Sequence, residues 1–268
     1  PERLKHIDSP PKRLFVKGKL PDASKLSVAV VGARNCTPYG RDMARMFSYR
    51  LAAAGVFVIS GMALGIDGWG HQGALEAGGG TYAVLGSGVM RCYPSCHQNL
   101  YESIVRHGGV ISEFPVYARA KPVFFPMRNR IISGLSDGIL VVEAREKSGS
   151  LITADAALEQ GKDVFVIPGR IGDELSVGCN RLIRMGAVPV LTPDDILDYY
   201  GVKTSDGSRN VNETEQKILA FLGGKTMHMD EISAGLSLPM TQLLKCMIVL
   251  QKKGYVIEVG RNFFMKKI

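Results

Sequence analysis

An arginine two residues beyond the glycine that ends an apolar run is the first group in this chain placed to do chemistry. Val28–Val31 read as a short buried strand and Gly32 stops it. Arg34 follows, and Pro38 then opens a helical pattern through Met43, Met46, Phe47 and Leu51. A strand, a glycine turn and a helix start make an anion site, because backbone N–H groups and the helix dipole converge there. A dinucleotide-binding turn reads G-x-G-x-x-G, whereas Arg34 stands at the second glycine here. A guanidinium at that point suits a phosphate and crowds a pyrophosphate against the backbone.

Groups of the same kind follow the other strand candidates. They are Ser60-Gly61 within SGMALGID, Gly86-Ser87-Gly88, Ser112-Glu113, the run Phe124 to Arg130, Lys147-Ser148-Gly149-Ser150, and Pro168-Gly169-Arg170. In an open α/β sheet, ligands gather outside the carboxyl ends of the strands. The spacing therefore brings Arg34, Arg128, Arg130, Lys147 and Arg170 to one rim, beside several helix starts. Tyr93, Phe124, Phe125 and Met127 add flat or soft surfaces. Cations that track a backbone, beside aromatic platforms, are what an unpaired nucleic-acid strand needs. At least one of Phe124 and Phe125 reads as filling beneath the rim. Arg128 and Arg130, two apart on a helix, face different ways, so one meets the anion while the other pairs with Glu113 or Glu143.

Catalytic signals are weaker. Asp67 and His71 lie four apart on one helix face, but no third ligand or partner matches that spacing. The favoured reading has Asp67 capping a neighbouring loop and His71 hydrogen-bonded in the core. Cys92, Cys96 and His97 lack a second ligand pair and read as a chance grouping. No nucleophile with a paired base is evident, and neither a metal nor a cofactor is expected.

Strand candidates at 27–31, 56–59, 81–85, 109–111, 138–142, 163–167 and 188–191 alternate with segments of helical periodicity. Near-continuous Val/Ile runs separated by helices predict a parallel sheet covered on both faces. The fold class is α/β, an extended Rossmann-like doubly wound sheet over 27–200, with 1–26 an extended, proline-broken lead-in. Residues 201–211 are polar and read as a linker. Residues 212–268 read as a small winged-helix domain: a helix from Asn212 with Ile218, Leu219 and Leu222, one over Met229 to Ala234, and one from Pro239. Strands over Tyr255–Val259 and Asn262–Met265 complete it. The third helix would turn Gln242 and Lys245 outward, with Lys252 and Lys253 at its end. Duplex-groove binding and protein contact both remain open for this unit.

The 268 residues are 46% apolar and 22% charged, with a formal net charge of +8, which favours a polyanionic partner. No stretch approaches the roughly 18 apolar residues of a membrane span. The charged, proline-broken start is no signal peptide, and the absence of an initial Met reads as a trimmed or incomplete N-terminus. Five scattered cysteines fit a reducing, cytoplasmic setting better than a disulfide frame.

Taken together, these segments resemble the DNA-processing protein A family, also called DprA or Smf. The likeness runs through G-A-R-x-x-x-x-Y-G at 32–40, S-G-x-A-x-G-I-D at 60–67, G-x-G at 86–88 with Tyr93-Pro94, and S-E-F-P at 112–115. It continues through F-P-x-R-N-R-I-I-S-G-L-S at 125–136, V-V-E-A with S-G-S-L-I-T at 141–153, and A-L-E-Q-G-K-D-V-F-V-I-P-G at 157–169. The resemblance implies a Rossmann-like protein that binds single-stranded DNA, forms a homodimer, and loads a RecA-type recombinase onto incoming DNA in natural transformation, without catalysis. It implies that Arg34 grips a phosphate. Gly32, Ser60, Gly61, Gly86, Gly88, Lys121, Arg128, Asn129, Ser148, Gly149 and Ser150 would shape the site. Ser95 stands where many members carry a lysine.

The competing function is a nucleotide or ribosyl-phosphate hydrolase using the same pocket, with Asp67, Glu113 and Glu143 as its carboxylates. An NAD-dependent dehydrogenase lacks the third-glycine spacing and has Ser60 where an acid would hold the ribose.

Overall fold

The computed structural model describes residues 1–202, 212–223, 225–252 and 255–266, with Lys252 described in its backbone alone. Most of the expected 201–211 linker, and Lys253, lie outside the described residues. The chain divides into two compact units, Pro1–Lys203 and Thr204–Ile268.

The first unit is built on eight strands: β1 (Phe15–Gly18), β2 (Ser27–Val31), β3 (Phe57–Ser60), β4 (Thr81–Val84), β5 (Gly109–Ser112), β6 (Gly138–Val141), β7 (Asp163–Val166) and β8 (Val188–Pro189). Their order in the sheet is β1-β5-β4-β3-β2-β6-β7-β8. Every pairing is parallel except β1 against β5. The chain therefore runs outward from β2 through β3, β4 and β5, then returns to β6 on β2's other side. That reversal opens a crevice above the β2 and β6 ends, where doubly wound sheets bind ligands. The lead-in carries two short elements of its own. A short 3-10 turn over Glu2–Lys5 buries Leu4, Ile7 is buried after it, and β1 caps the sheet edge, with Phe15 opposite Ser112.

β2, β4, β5 and β6 are buried along their whole length, which explains their unbroken apolar runs. Helices α1 (Pro38–Ala53), α2 (Ile66–Glu76) and α3 (Gln98–His107) follow β2, β3 and β4. Then come α4 (Phe124–Leu135), α5 (Gly149–Glu159), α6 (Val177–Arg184) and α7 (Pro193–Tyr199). One face of the sheet holds a core of Val28, Val30, Phe47, Leu51, Ile66 and Phe165. The other packs Ala29, Val31, Ile59, Ile131, Ile132 and Ala154. The glycines of α2 cost helix propensity but let α1 come close: a Cβ on Gly73 would collide with the Arg45 backbone.

The second unit has α8 (Glu213–Leu222), α9 (Met229–Leu236) and α10 (Met240–Lys252) around Ile218, Leu222, Ile232, Leu243, Met247 and Leu250. Asn212 caps α8 in a reciprocal box with Glu215. β9 (Met227–His228), β10 (Val256–Gly260) and β11 (Phe263–Lys266) form an antiparallel sheet in the order β10-β11-β9. Gln242 and Lys245 are exposed on α10 as expected, but so are Leu244 and Ile248. Among the described residues, no single helix is long and apolar enough to cross a membrane.

Candidate nucleic-acid interface

A cavity of about 500 Å³ lies where the β2–α1 loop, the start of α4 and the start of α5 meet. Arg34 lines it from the β2 end, exposed, with its guanidinium 5.3 Å from the centre of the Phe125 ring. Among the described residues Arg34 makes no ion pair. Opposite stands the α5 N-terminus, which Ser148 caps by accepting from the Ser150 amide at 3.4 Å. Gly149 and Lys147 are exposed beside it. An open cation facing a helix N-terminus is an anion site by charge and by donors alike.

Behind this front the geometry is rigid. Arg128 projects from α4 and is only 4% exposed. It donates to the carbonyl of Gly61 at 2.7 Å and to that of Val84, and its Nε reaches Asn129 Oδ1 at 3.3 Å. Burial pulls its pKa down to about 10, and the nearby Asp67 carboxylate opposes that fall. It lines the cavity while its Nη1 holds the β3 and β4 ends. Asp67 accepts from the amides of Gly61 at 3.1 Å and Ala63 at 3.4 Å, and burial raises its pKa against the pull of Arg128. It is therefore both the expected loop cap and the counter-charge behind Arg128, a second role the sequence reading missed. The two residues lie 61 positions apart in the chain.

The aromatic groups divide as two adjacent helical positions must. Phe124 stacks on Phe114, with ring centres 3.9 Å apart and an interplanar angle of 18°, so it is the filling. Phe125 lines the cavity with Tyr93, their rings 5.4 Å apart. Gly86 makes room for that ring, because a Cβ there would stand 2.8 Å from it.

Several expected site residues lie elsewhere. Arg130 turns away from the cavity and grips Glu113 with two bonds, at 3.1 and 2.6 Å. The alternation between neighbouring helix faces settles which arginine pairs. Ser60 is buried and donates to the Val30 carbonyl at 2.6 Å. Gly88 packs against the backbone of Pro115 and Val116. Gly61 acts through its carbonyl and amide, behind the cavity. Lys121 stands over the Phe124 ring, 5.7 Å from its centre, and Arg170 belongs to a different cavity. Gly32, Asn129, Ser148 and Ser150 line the cavity, and the Asn129 amide donates to the Gly149 carbonyl at 3.2 Å.

His71 is buried, with Nδ1 2.7 Å from the Thr81 hydroxyl. That hydroxyl gives its proton to the Val58 carbonyl, so Nδ1 is the donor to it. Burial pushes His71 down to about pKa 3. Cys92 bonds to the Pro94 carbonyl and its thiol is pushed up to about 11, chiefly by burial. His97 is hydrogen-bonded to the Met62 carbonyl. Among the described residues, no group of three His, Cys, Asp or Glu side chains is placed to hold a metal.

Residues 1–201 match the family model described as DNA recombination-mediator protein A. The chain is 38% identical to Protein Smf of Escherichia coli over 276 residues, which covers 98% of this chain and 74% of that one. It is 42% identical to the DNA processing protein DprA of Streptococcus pneumoniae over 197 residues, 74% and 70% of the two chains. The X-ray structure of the S. pneumoniae DprA matches with a TM-score of 0.70 at 41% identity, over 74% of this chain and 70% of that one. A Helicobacter pylori DNA processing protein A structure, described for its single-stranded DNA binding mode, matches with a TM-score of 0.69 at 28% identity, over 75% and 92%.

Proposed function

The chain belongs to the DNA recombination-mediator protein A family, and from that premise we propose that it holds single-stranded DNA with Arg34, Lys147 and the α5 N-terminus. Bases would rest on Phe125 and Tyr93. The observation that carries this reading is Arg34 itself: an exposed guanidinium with no carboxylate partner among the described residues, lining the same 500 Å³ cavity as the α5 N-terminus. In this reading the bound strand is handed to a RecA-type recombinase in the cytoplasm, the protein acts as a homodimer, and incoming DNA in natural transformation is the substrate.

The chain acts here as a mediator rather than a catalyst. The three carboxylates of the hydrolase alternative all have structural employment. Asp67 caps the 61–63 loop, Glu113 holds Arg130, and Glu143 accepts from Thr37 and lines a different cavity. The test is a salt titration of oligo-dT binding by fluorescence anisotropy. Affinity of the unaltered chain should fall steeply with salt, and Arg34→Ala should lower the slope by about 0.7, the share of one phosphate contact on a single strand. Arg34→Glu should weaken binding at least tenfold at about 0.1 M salt. Unchanged affinity in both variants, or turnover of a mononucleotide by the unaltered chain, overturns the reading.

A further inference from the structure

A second, larger cavity of about 850 Å³ lies at the same strand ends, lined by the β2–α1 and β6–α5 loops and by residues beyond β7. The first two loops separate it from the cavity beside Arg34. They are stitched together where the Ala33 amide donates to the Glu143 carbonyl at 2.8 Å. Arg34 lines one cavity and Thr37 the other; Lys147 lines one and Glu143 the other. Three and four residues of chain reach at most about 11 and 14 Å, so a strand on Arg34 needs only a few nucleotides to cross the ridge.

The second cavity differs in chemistry from the first. Pro38, Tyr39, Ile167, Pro168 and Leu175 give it apolar walls. Its buried charge is Glu143, 6% exposed, which has no cationic partner among the described residues. Glu143 accepts from the Thr37 amide at 2.9 Å and from the Thr37 hydroxyl. A carboxylate offers about four lone-pair sites, so capacity remains on both oxygens. Burying such a group is costly unless donors satisfy it. Tyr39, 53% exposed on the same wall, supplies an aromatic face. Arg145, at the rim, forms an exposed ion pair with Glu174 at 3.2 Å.

A carboxylate beside an aromatic face selects among bases by their Watson–Crick edges. Guanine presents two adjacent donors, N1–H and the 2-amino group, which match two carboxylate oxygens. Adenine and cytosine place an acceptor next to their donor, and thymine sets its one N–H between two carbonyls. We infer that this cavity seats a guanine base of the strand whose phosphates lie on Arg34. Glu143 accepts from guanine N1–H and N2–H, and Tyr39 covers the ring. The inference rests on the cavity beside Arg34 holding single-stranded DNA.

The test uses the full chain and oligo-dT carrying a few central guanines, read by anisotropy against all-dT of equal length. Guanine should tighten binding about 5- to 10-fold, in the range of one bidentate base contact. Deoxyinosine, which lacks the 2-amino group, should lose most of that gain, and 7-deazaguanine should keep it. Glu143→Gln and Tyr39→Ala should each bring the guanine-to-thymine ratio close to one. That ratio is the readout, so a general loss of affinity from disturbing the Thr37 loop does not imitate the effect. Tight all-dT binding without a guanine preference overturns the inference and leaves the strand reading standing. A preference that survives both variants, or free dGMP binding without any preference within the strand, overturns it too. Failure to bind any oligonucleotide overturns the strand reading and this inference with it.

Discussion

Gly149 lines the cavity beside Arg34 and Gly61 lies behind it, and the two glycines have opposite surroundings. A Cβ on Gly61 would stand 2.6 Å from the Arg128 guanidinium, which is buried and tied to two carbonyls, whereas one on Gly149 would meet nothing within 4 Å. Gly61→Ala should therefore cost about 1–3 kcal/mol, the usual penalty for overpacking a rigid interior, and displace Arg128. Gly149→Ala should leave stability equal or higher by up to about 1 kcal/mol, since alanine restricts the unfolded chain and favours the helix. It should nonetheless weaken strand binding, because the new methyl group occupies the mouth of the cavity. Chemical denaturation and oligonucleotide titration of both variants check this; equal behaviour of the two would contradict it.

At the scale of elements, α4 carries the division of labour. Its inward positions place Arg128 and Asn129 at the cavity, with Phe125 above them. Its other side sets Phe124 on Phe114 and Arg130 on Glu113. The Arg130 and Glu113 side chains are 21% and 14% exposed and bonded in a two-point fork, so their pairing is screened less than a surface ion pair. Arg130→Ala should lower stability by on the order of 1–2 kcal/mol, partly through the Glu113 carboxylate it leaves behind. Strand affinity should stay within about twofold, because no phosphate contact is lost. A binding defect as large as that of Arg34→Ala would place Arg130 on the DNA after all.

At the scale of the molecule, each of two units, 1–203 and 204–268, has apolar core of its own. Calorimetry of the full chain should resolve two unfolding transitions. At about 0.7 kcal/mol per residue, the smaller should carry roughly 45 kcal/mol and the larger roughly 140 near 60 °C. A single transition whose calorimetric and van't Hoff enthalpies agree would show the units to unfold as one. The face of α10 bears on what the second unit does. Lys245 is exposed there beside Leu244 and Ile248, a mixture less suited to reading a groove than a run of Arg and Asn.

Local chemistry makes the first unit legible in the sequence itself. Buried parallel strands demand unbroken Val and Ile runs, a glycine ends a run where the backbone must turn sharply, and a cation after that turn marks an anion site. Arg34, Lys147 and the Ser148–Ser150 helix start are readable on those grounds alone. β1 is not, because an edge strand paired on one side needs no such run. The partner of each charged group also lies beyond the reach of spacing. Arg128 finds the carbonyls of Gly61 and Val84, Asp67 backs it, and Glu143 closes on Thr37 across more than a hundred residues. Those choices follow from which strand ends lie side by side, and a one-dimensional pattern carries spacing along the chain but not adjacency across the sheet.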